Sequence, residues 1–390
     1  MDLQLIRIEG NKFSSMLSSR SRSRVSELAG DNVIGAELYG IQILRAAAAV
    51  AVVAHHTLEQ SNGVQGRFSP DWMTTAGAAG VDIFFVISGF IMLHVSFRPG
   101  RASIPPASFL VKRASRIYPI YWLCCLAMLL ASGAGFLRHH SWNVDDILAS
   151  FVLLPSGNPL INVSWTLVYE MYFYLVFALM LCFKSMKIAV IGTILAIVSM
   201  EWVGSLLPTG RVRSFFVDPV ALEFCLGLLL AGILMSQAER KRQRPVRIPV
   251  CLVGICLVAT APLYVAHSDT AGLHGFPRLF AWGLPATLIV ATSLDAREPT
   301  TSMSRFAVLV GDASYALYLT HVFVMIGYGR LLKIDTVARI DQLVLVPVVV
   351  AVSIAIALPV HLLVERPLLA LIRTRILHLS NRTSKLRLVD

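Results

Sequence analysis

Hydrophobic residues in this chain fall into long runs that short polar segments separate. The runs are mostly about 18 to 22 residues long, the length that an α-helix needs to cross roughly 30 Å of hydrocarbon. Ten such runs lie approximately at residues 40–58, 77–97, 117–137, 164–183, 188–207, 217–236, 248–266, 277–294, 313–332 and 343–364. The pattern therefore predicts an all-α, polytopic integral membrane protein, a helix bundle with about ten transmembrane helices.

Three segments depart from this pattern. Residues 1–36 are polar, include a Ser/Arg tract at 18–26, and predict a disordered basic tail, and residues 369–390 predict a basic C-terminal tail. The transmembrane domain is thus expected over 37–368. The apolar stretch 147–155 is too short to cross, which favours an interfacial or re-entrant piece at the outer face.

The composition agrees with a membrane protein and excludes an ordinary soluble domain. Hydrophobic residues make up 56% of the chain and charged residues 15%, with a mean hydropathy of +0.69. The net charge of +11 is spread among helix ends rather than gathered on one domain, so we expect no nucleic-acid partner. The six cysteines all lie in apolar runs without the spacing of a metal site, so we expect no metal.

The basic residues also predict an orientation. Of the 34 Lys and Arg residues, 25 fall in the two tails and in alternate loops, 8 fall in the opposite loops, and Arg45 lies inside a span. Because cytoplasmic loops retain positive charge during insertion, both termini are expected in the cytoplasm.

Ionisable residues inside the predicted spans are the leading candidates for a functional site, because a charge at mid-bilayer costs several kcal/mol unless it is paired or hydrated. Arg45 and the pair His55/His56 lie in the first run, and Glu170 lies in the fourth. Arg45 and His56 are eleven residues apart, which places them on one helix face about 16 Å apart. A structural alternative remains, in which Arg45 snorkels to the inner interface and the histidines cap the span at the outer interface.

Two carboxylates are candidates to pair with His56. Asp82 lies near the outer edge of the second run, where it either pairs with His56 or is a solvated carboxylate at a helix start. Glu170 lies about 8 Å further into the membrane than Trp165, at a depth close to that of His56. A His/carboxylate pair would orient the imidazole for general-base catalysis.

A basic cluster marks the predicted cytoplasmic mouth of the third run. Arg113 and Arg116 lie three residues apart on one face, flanked by Lys112 and Tyr118. Two guanidiniums so placed fit a phosphate-bearing ligand, and an interfacial belt that binds lipid headgroups is the alternative.

Three further polar residues lie in the last two runs. His321 is either a satisfied core or cavity residue or a catalytic group, with the former favoured. Glu365 and Arg366 are typical of an anchor at the inner interface.

Five segments together resemble the membrane-bound acyltransferase family 3, in particular its ExoZ-type exopolysaccharide branch. They are Ile43-Leu44-Arg45 followed by His56, the stretch Gly80 to Phe90, the pair Arg113 and Arg116, the stretch Ser164 to Leu167 with Glu170, and Ser314 to Leu319 before His321. The resemblance covers most of residues 38–367. It implies a single ten-helix domain that moves an acyl group from acyl-CoA to a carbohydrate hydroxyl.

The resemblance also implies roles for particular residues. Arg45 and His56 would be essential, and Arg113 and Arg116 functionally important, while the extended basic N-terminus departs from the family's short start. From the chemistry of the residues, we expect Arg113 and Arg116 to bind the phosphates of acyl-CoA. The expected enzyme uses acetyl-CoA as a co-substrate, has no permanently bound cofactor, and acts on a polysaccharide or lipid-linked glycan in the bacterial inner membrane. His56 would act as the base with Glu170 or Asp82, or it would carry the acyl group as an acyl-histidine. A transporter or flippase of a lipid-linked glycan is the alternative function.

Overall fold

The computed structural model describes residues 38–62, 71–97, 102–137, 141–155, 157–236, 247–264, 275–294 and 298–375, and all regular structure in these ranges is helical. Short 3-10 segments occupy Gly77–Ala79 and Asn162–Ser164, and π-helical turns occupy Leu279–Gly283 and His361–Glu365. The α-helices are α1 Tyr39–Asn62, α2 Asp71–Ala76, α3 Gly80–Ser96, α4 Pro106–Gly133, α5 Val144–Val152, α6 Trp165–Leu181, α7 Met186–Ser205, α8 Arg211–Val217, α9 Ala221–Ser236, α10 Arg247–Tyr264, α11 Gly275–Arg278, α12 Leu284–Ser293, α13 Ser302–Asp312, α14 Ser314–Leu331, α15 Asp335–Ala338 and α16 Gln342–Val360. The predicted all-α class is confirmed.

Seven helical segments in the described residues are long and apolar enough to cross a membrane. An eighth is added if α13 and α14, which meet at an angle of 75°, form one bent span. The runs predicted at 248–266 and 277–294 coincide with α10 and with α11 to α12, which are not among the seven. The chain is therefore a multi-pass membrane protein, while the expected count of about ten spans is not confirmed.

Close helix packing at glycines fixes the centre of the bundle. Gly89 of α3 lies against the backbone of Phe224 in α9, and Gly227 of α9 lies against the backbone of Val86 in α3. A Cβ atom at either position would collide with a main-chain carbonyl, so only glycine permits this approach. Gly80 packs in the same way on the carbonyl of Ala48 in α1. Gly80, Gly89 and Gly227 are thus packing residues.

Several boundaries differ from the sequence prediction. Helix α4 begins at Pro106, with proline at its first turn, so the predicted basic mouth at Arg113 and Arg116 lies inside a helix. The short apolar stretch near 147–155 forms α5, which Asn143 caps by accepting from the Asp146 amide at 2.7 Å. The last helical segment runs on from α16 to Arg375 and crosses the expected domain boundary at 368. The predicted N-terminal tail, 1–36, lies outside the described residues.

Candidate functional site

Two cavities lie inside the helix bundle, and we name them by the predicted orientation. The inner cavity has a volume of about 110 Å³ and the outer cavity about 560 Å³. Val81 and Tyr318 line both, so the two cavities meet at these side chains. The candidate residues divide between them: Arg45, Arg113, Arg116 and Glu170 line the inner cavity, and His55 and His56 line the outer cavity.

The inner cavity carries an excess of positive charge. Its lining includes the guanidiniums of Arg45, Arg113 and Arg116 and the carboxylate of Glu170, and the remaining side chains are mainly apolar. Arg45 is 8% exposed and donates to the Ser314 hydroxyl at 2.9 Å. A buried guanidinium held at a cavity wall is placed to meet an anion, and it does not snorkel to the interface.

Glu170 belongs to this inner cavity. Its Oε1 accepts from the Ser88 hydroxyl at 3.2 Å and from the Tyr174 hydroxyl at a short distance. Its hydrogen-bond partners are therefore hydroxyl groups, and the expected pair with His56 is not formed. The depth argument failed because it placed both residues by distance along their helices and ignored the direction in which each side chain points.

The partner of His56 is Glu59, one turn further along α1. Nδ1 of His56 lies 3.1 Å from Oε2 of Glu59, and both residues line the outer cavity. A carboxylate on Nδ1 favours the tautomer that leaves Nε2 unprotonated, which is the arrangement of a general base. The sequence analysis missed Glu59, although its spacing of three residues from His56 on a helix was a visible signal.

His55 and His56 differ in their surroundings. Nδ1 of His55 lies 2.5 Å from the main-chain carbonyl of Thr74, and the His55 side chain is 6% exposed, against 27% for His56. His55 thus holds α1 against α2, while His56 has the greater access to the cavity. The ligand atoms of His55, His56 and Glu59 lie within 4.8 Å of one another, so these three residues are also close enough to hold a metal ion.

His321 packs directly on His56. Their rings are nearly parallel, and Nδ1 of His321 lies 3.2 Å from the carbonyl of Leu317. Since the carbonyl can only accept, Nδ1 carries the proton and Nε2 has a lone pair. Nε2 is buried and has no hydrogen-bond partner among the described residues, which is unusual for a polar atom inside a protein. The satisfied core residue that the sequence favoured for His321 would have both ring nitrogens hydrogen-bonded, and Nε2 is not, within the described part of the chain.

Asp82 lies in a buried ion pair that the sequence did not indicate. The side chain is fully buried, and both of its oxygens accept from Arg278, at 3.0 and 2.9 Å. Glu223 lies beside them, with its Oε1 4.0 Å from Nε of Arg278. Both expectations for Asp82, a partner of His56 or a solvated carboxylate, were wrong because the counter-ion comes from a helix almost 200 residues later.

Arg278 lies between Asp82 and the outer cavity. Its guanidinium lies over the rings of Trp165 and Trp282, 5.5 and 5.6 Å from their centroids, and the side chain lines the cavity. Bidentate pairing and aromatic packing together hold a guanidinium in one position. Arg278 is a site residue that sequence analysis missed, because it stands alone at the start of an apolar run.

Tyr318 separates the two cavities. Its hydroxyl donates to the carbonyl of Val163 at 2.8 Å and is 2.8 Å from the hydroxyl of Thr166. Tyr318 is 9% exposed, so the ring is packed in place at the point where the cavities meet. A ligand that extended from one cavity to the other would pass this side chain.

The remaining candidates lie away from the two cavity linings. Lys112 is exposed, and the Tyr118 hydroxyl donates to the carbonyl of Val152 at 3.2 Å. Glu365 is 3% exposed and its carboxylate lies 2.7 Å from Nδ1 of His361, so it is buried against the protein and not solvated. Arg366 is half exposed and reaches Asp312 at 3.4 Å, in keeping with an anchor.

The chain is similar to known acyltransferases. Residues 38–362 match a protein family described as an acyltransferase domain. The exopolysaccharide production protein ExoZ of Rhizobium meliloti (strain 1021) is 32% identical over 77% of this chain and 92% of its own length. The acyltransferase MdmB of Streptomyces mycarofaciens is 26% identical over 85% of this chain and 92% of its own length.

A third relative is longer than this chain. The O-acetyltransferase OatA of Staphylococcus aureus (strain NCTC 8325 / PS 47) is 26% identical over 73% of this chain, which covers 50% of OatA. No solved structure is significantly similar to the chain.

Proposed function

Because the chain belongs to the acyltransferase family 3 and is a multi-pass membrane acyltransferase, we propose that it moves an acyl group from acyl-CoA to a hydroxyl of an exopolysaccharide or other cell-surface glycan. The expected acyl group is acetyl and the expected location is the bacterial inner membrane. One observation carries the proposal: a small, cationic inner cavity and a larger outer cavity, whose lining has the greater polar share, meet at Tyr318 and Val81.

The inner cavity suits the donor. Coenzyme A combines several phosphate charges with a thin pantetheine arm, and the cavity combines three guanidiniums with a narrow apolar channel. Arg113 and Arg116 would bind the phosphates at the cytoplasmic end, where bidentate guanidiniums fit phosphate oxygens. Arg45 lies deeper, where it would contact the arm or stabilise a developing negative charge. About 16 Å of helix axis separate Arg45 from His56, so an extended arm would bring the thioester toward the imidazole.

The outer cavity suits the acceptor and the base. Nε2 of His56 would take the proton of an acceptor hydroxyl while that oxygen attacks the thioester carbonyl. The C–S bond then breaks, the oxygen keeps the acyl group as an ester, and the coenzyme A thiolate takes the proton from the imidazolium to become the free thiol. Glu59 stabilises the imidazolium through its contact with Nδ1. The roles of Asp82 and Glu170 are then supporting ones: Asp82 holds Arg278, and Glu170 balances the guanidiniums of the inner cavity.

An acetyl-transfer assay tests the proposal that acetyl-CoA is the donor. The purified protein in lipid nanodiscs is incubated with radiolabelled acetyl-CoA. We expect label to move to host exopolysaccharide that mild base has freed of its ester groups, with free coenzyme A released in equal amount. His56→Ala should lower the transfer rate by about 10² to 10⁴, the usual contribution of a general base. His55→Ala is the matched control for the catalytic role, and we expect it to change stability more than turnover.

Two other outcomes would replace this mechanism. Protein-bound label that survives rapid denaturation at neutral pH, is lost in acid and is absent from His56→Ala would show an acyl-histidine relay, in which His56 is itself the nucleophile. The protein would be a flippase and not an acyltransferase if it bound no acetyl-CoA, in detergent or in nanodiscs, and moved a lipid-linked glycan across the membrane of liposomes.

A further inference from the structure

One wall of the outer cavity is a group of aromatic side chains. Trp165 is 36% exposed, lines the cavity, and meets Tyr169 edge to face with centroids 6.1 Å apart. Tyr169 in turn stacks on Phe215 of α8 at 4.5 Å, and its hydroxyl donates to the Phe215 carbonyl at 3.0 Å. These contacts join α6 to α8 and make the aromatic wall one rigid unit.

The exposed part of Trp165 is held in position and open to the cavity. Arg278 lies 5.5 Å from the indole centroid and is itself fixed by Asp82. No described residue accepts a hydrogen bond from the indole nitrogen, which leaves this donor available to a ligand. A large aromatic ring that Arg278, Phe85 and Tyr169 hold in place while 36% of the residue stays exposed is a preformed binding surface, which costs little entropy on binding.

Polar groups surround this aromatic wall. Asn162, Ser214, Glu59 and His56 line the same cavity. The combination matches the two surfaces of a pyranose: a face of C–H groups, which the negative face of an indole attracts, and an edge of hydroxyls, which amide, hydroxyl and carboxylate groups bind. A lipid chain would leave the polar groups unpaired, which is costly.

The charges of the outer cavity select among sugars. Arg278 is neutralised by Asp82, and Arg211 lies 3.8 Å from Asp146. Glu59 and Asp218 line the cavity and Asp82 and Asp146 lie behind it, so these four carboxylates outnumber the two guanidiniums and oppose the carboxylate of a uronic acid. The cavity is therefore better suited to an uncharged sugar than to a uronic acid.

We infer that Trp165, backed by Tyr169 and Phe215, is the platform on which an uncharged pyranose of the acceptor stacks, so that its hydroxyl reaches His56. This inference rests on the proposed function, and it adds the residues that bind the acceptor and the class of sugar that is acylated.

The test measures the two substrates separately in nanodiscs, with acetyl-CoA and de-esterified host exopolysaccharide. Trp165→Ala should raise the KM for the polysaccharide at least 10-fold and change the KM for acetyl-CoA less than 2-fold, whereas Trp165→Phe should retain most of the affinity. Trp202→Ala is the control, because Trp202 is 66% exposed on α7 and lines neither cavity. Ser214→Trp, at an exposed position of the cavity wall, should raise the polysaccharide KM without disturbing the core.

The outcomes separate this inference from the proposed function. If the wild type transfers no acyl group, the proposed function fails. If the wild type is active and a folded Trp165→Ala keeps the wild-type polysaccharide KM, the platform is wrong. If Trp165→Ala fails to fold, Ser214→Trp alone decides. Finally, NMR of the product should place the new ester on an uncharged sugar, and an ester on a uronic acid would overturn the charge argument.

Discussion

His56 and His321 lie with their imidazole rings nearly parallel, with centroids 5.5 Å apart and planes inclined by 20°. The arrangement brings a fully buried lone pair on Nε2 of His321 close to the proposed base. Because Nε2 is buried and His321 lines neither cavity, we expect this lone pair to act on the reaction through the adjacent imidazole of His56, whose protonated form it stabilises, and not through contact with a substrate.

His321→Phe and His321→Gln separate stacking from hydrogen bonding. The Phe variant keeps a flat ring against His56 and removes the acceptor, so kcat should fall about 10- to 100-fold with little change in the KM for acetyl-CoA. The Gln variant retains an acceptor oxygen and should recover part of the loss. Steady-state kinetics of both purified variants give the comparison. A Phe variant as active as the wild type would make His321 a packing residue only.

Glu59→Gln tests the positioning of His56. Gln keeps the size and a hydrogen-bonding oxygen but removes the charge that stabilises an imidazolium, so kcat should fall about 10- to 100-fold. The KM for acetyl-CoA should stay within 2-fold of the wild type, because Glu59 does not line the inner cavity. Gln60, the next residue on α1, offers a control as Gln60→Ala. An unchanged kcat for Glu59→Gln would remove Glu59 from the mechanism.

Arg113 and Arg116 should control donor affinity. Each Ala variant removes a guanidinium from the inner cavity and should raise the KM for acetyl-CoA about 10-fold or more, with a smaller effect on the polysaccharide KM. Lys112→Ala is the matched control, since Lys112 lies on the same helix, is exposed, and is absent from the cavity lining. If all three variants weaken donor binding equally, the arginines act as a general basic surface and not as a phosphate site.

We expect the Asp82–Arg278 ion pair to affect the stability of the folded protein more than its catalytic rate. Asp82→Asn takes away the bidentate partner of the buried Arg278 and leaves it beside the more distant Glu223, 4.0 Å away, and the loss of a buried ion-pair partner costs up to about 3 to 5 kcal/mol. Asp82→Asn should therefore lower the melting temperature of the purified protein, measured by loss of monodisperse protein after heating. Asp145→Asn, which changes an exposed carboxylate on α5, should have no comparable effect. Equal melting temperatures for Asp82→Asn and the wild type would contradict a structural role for the pair.

The sequence predicted correctly those properties that local patterns of residues specify. The long apolar runs identified a membrane protein of α-helices, and the five ordered segments identified the family, which residues 38–362 confirm. Sequence reasoning placed His56 on the same helix face as Arg45, and the structure gives His56 a more exposed side chain than His55. These properties depend on local periodicity and residue type, which the sequence contains directly.

It failed where two distant elements had to be paired. Arg278 meets Asp82 across 196 residues, and no local pattern in either segment specifies the other. Glu170 was assigned to the wrong cavity because helical depth does not determine which neighbour a side chain meets. The number of spans was also uncertain, since the bend between α13 and α14 and the π-turn before α12 make length a poor guide to crossing.

Removing metal ions tests the sequence prediction that no metal takes part. His55, His56 and Glu59 have the proximity of three metal ligands, yet His55 Nδ1 already meets the Thr74 carbonyl and His56 Nδ1 meets Glu59. A general base needs His56 with a free lone pair, which a bound ion would occupy. We therefore expect dialysis against EDTA to leave acetyl transfer unchanged and elemental analysis of the active protein to find less than one zinc per chain. Loss of activity that Zn²⁺ restores would instead make these three residues a metal site, with the ion in place of Glu59 as the group that activates the reaction.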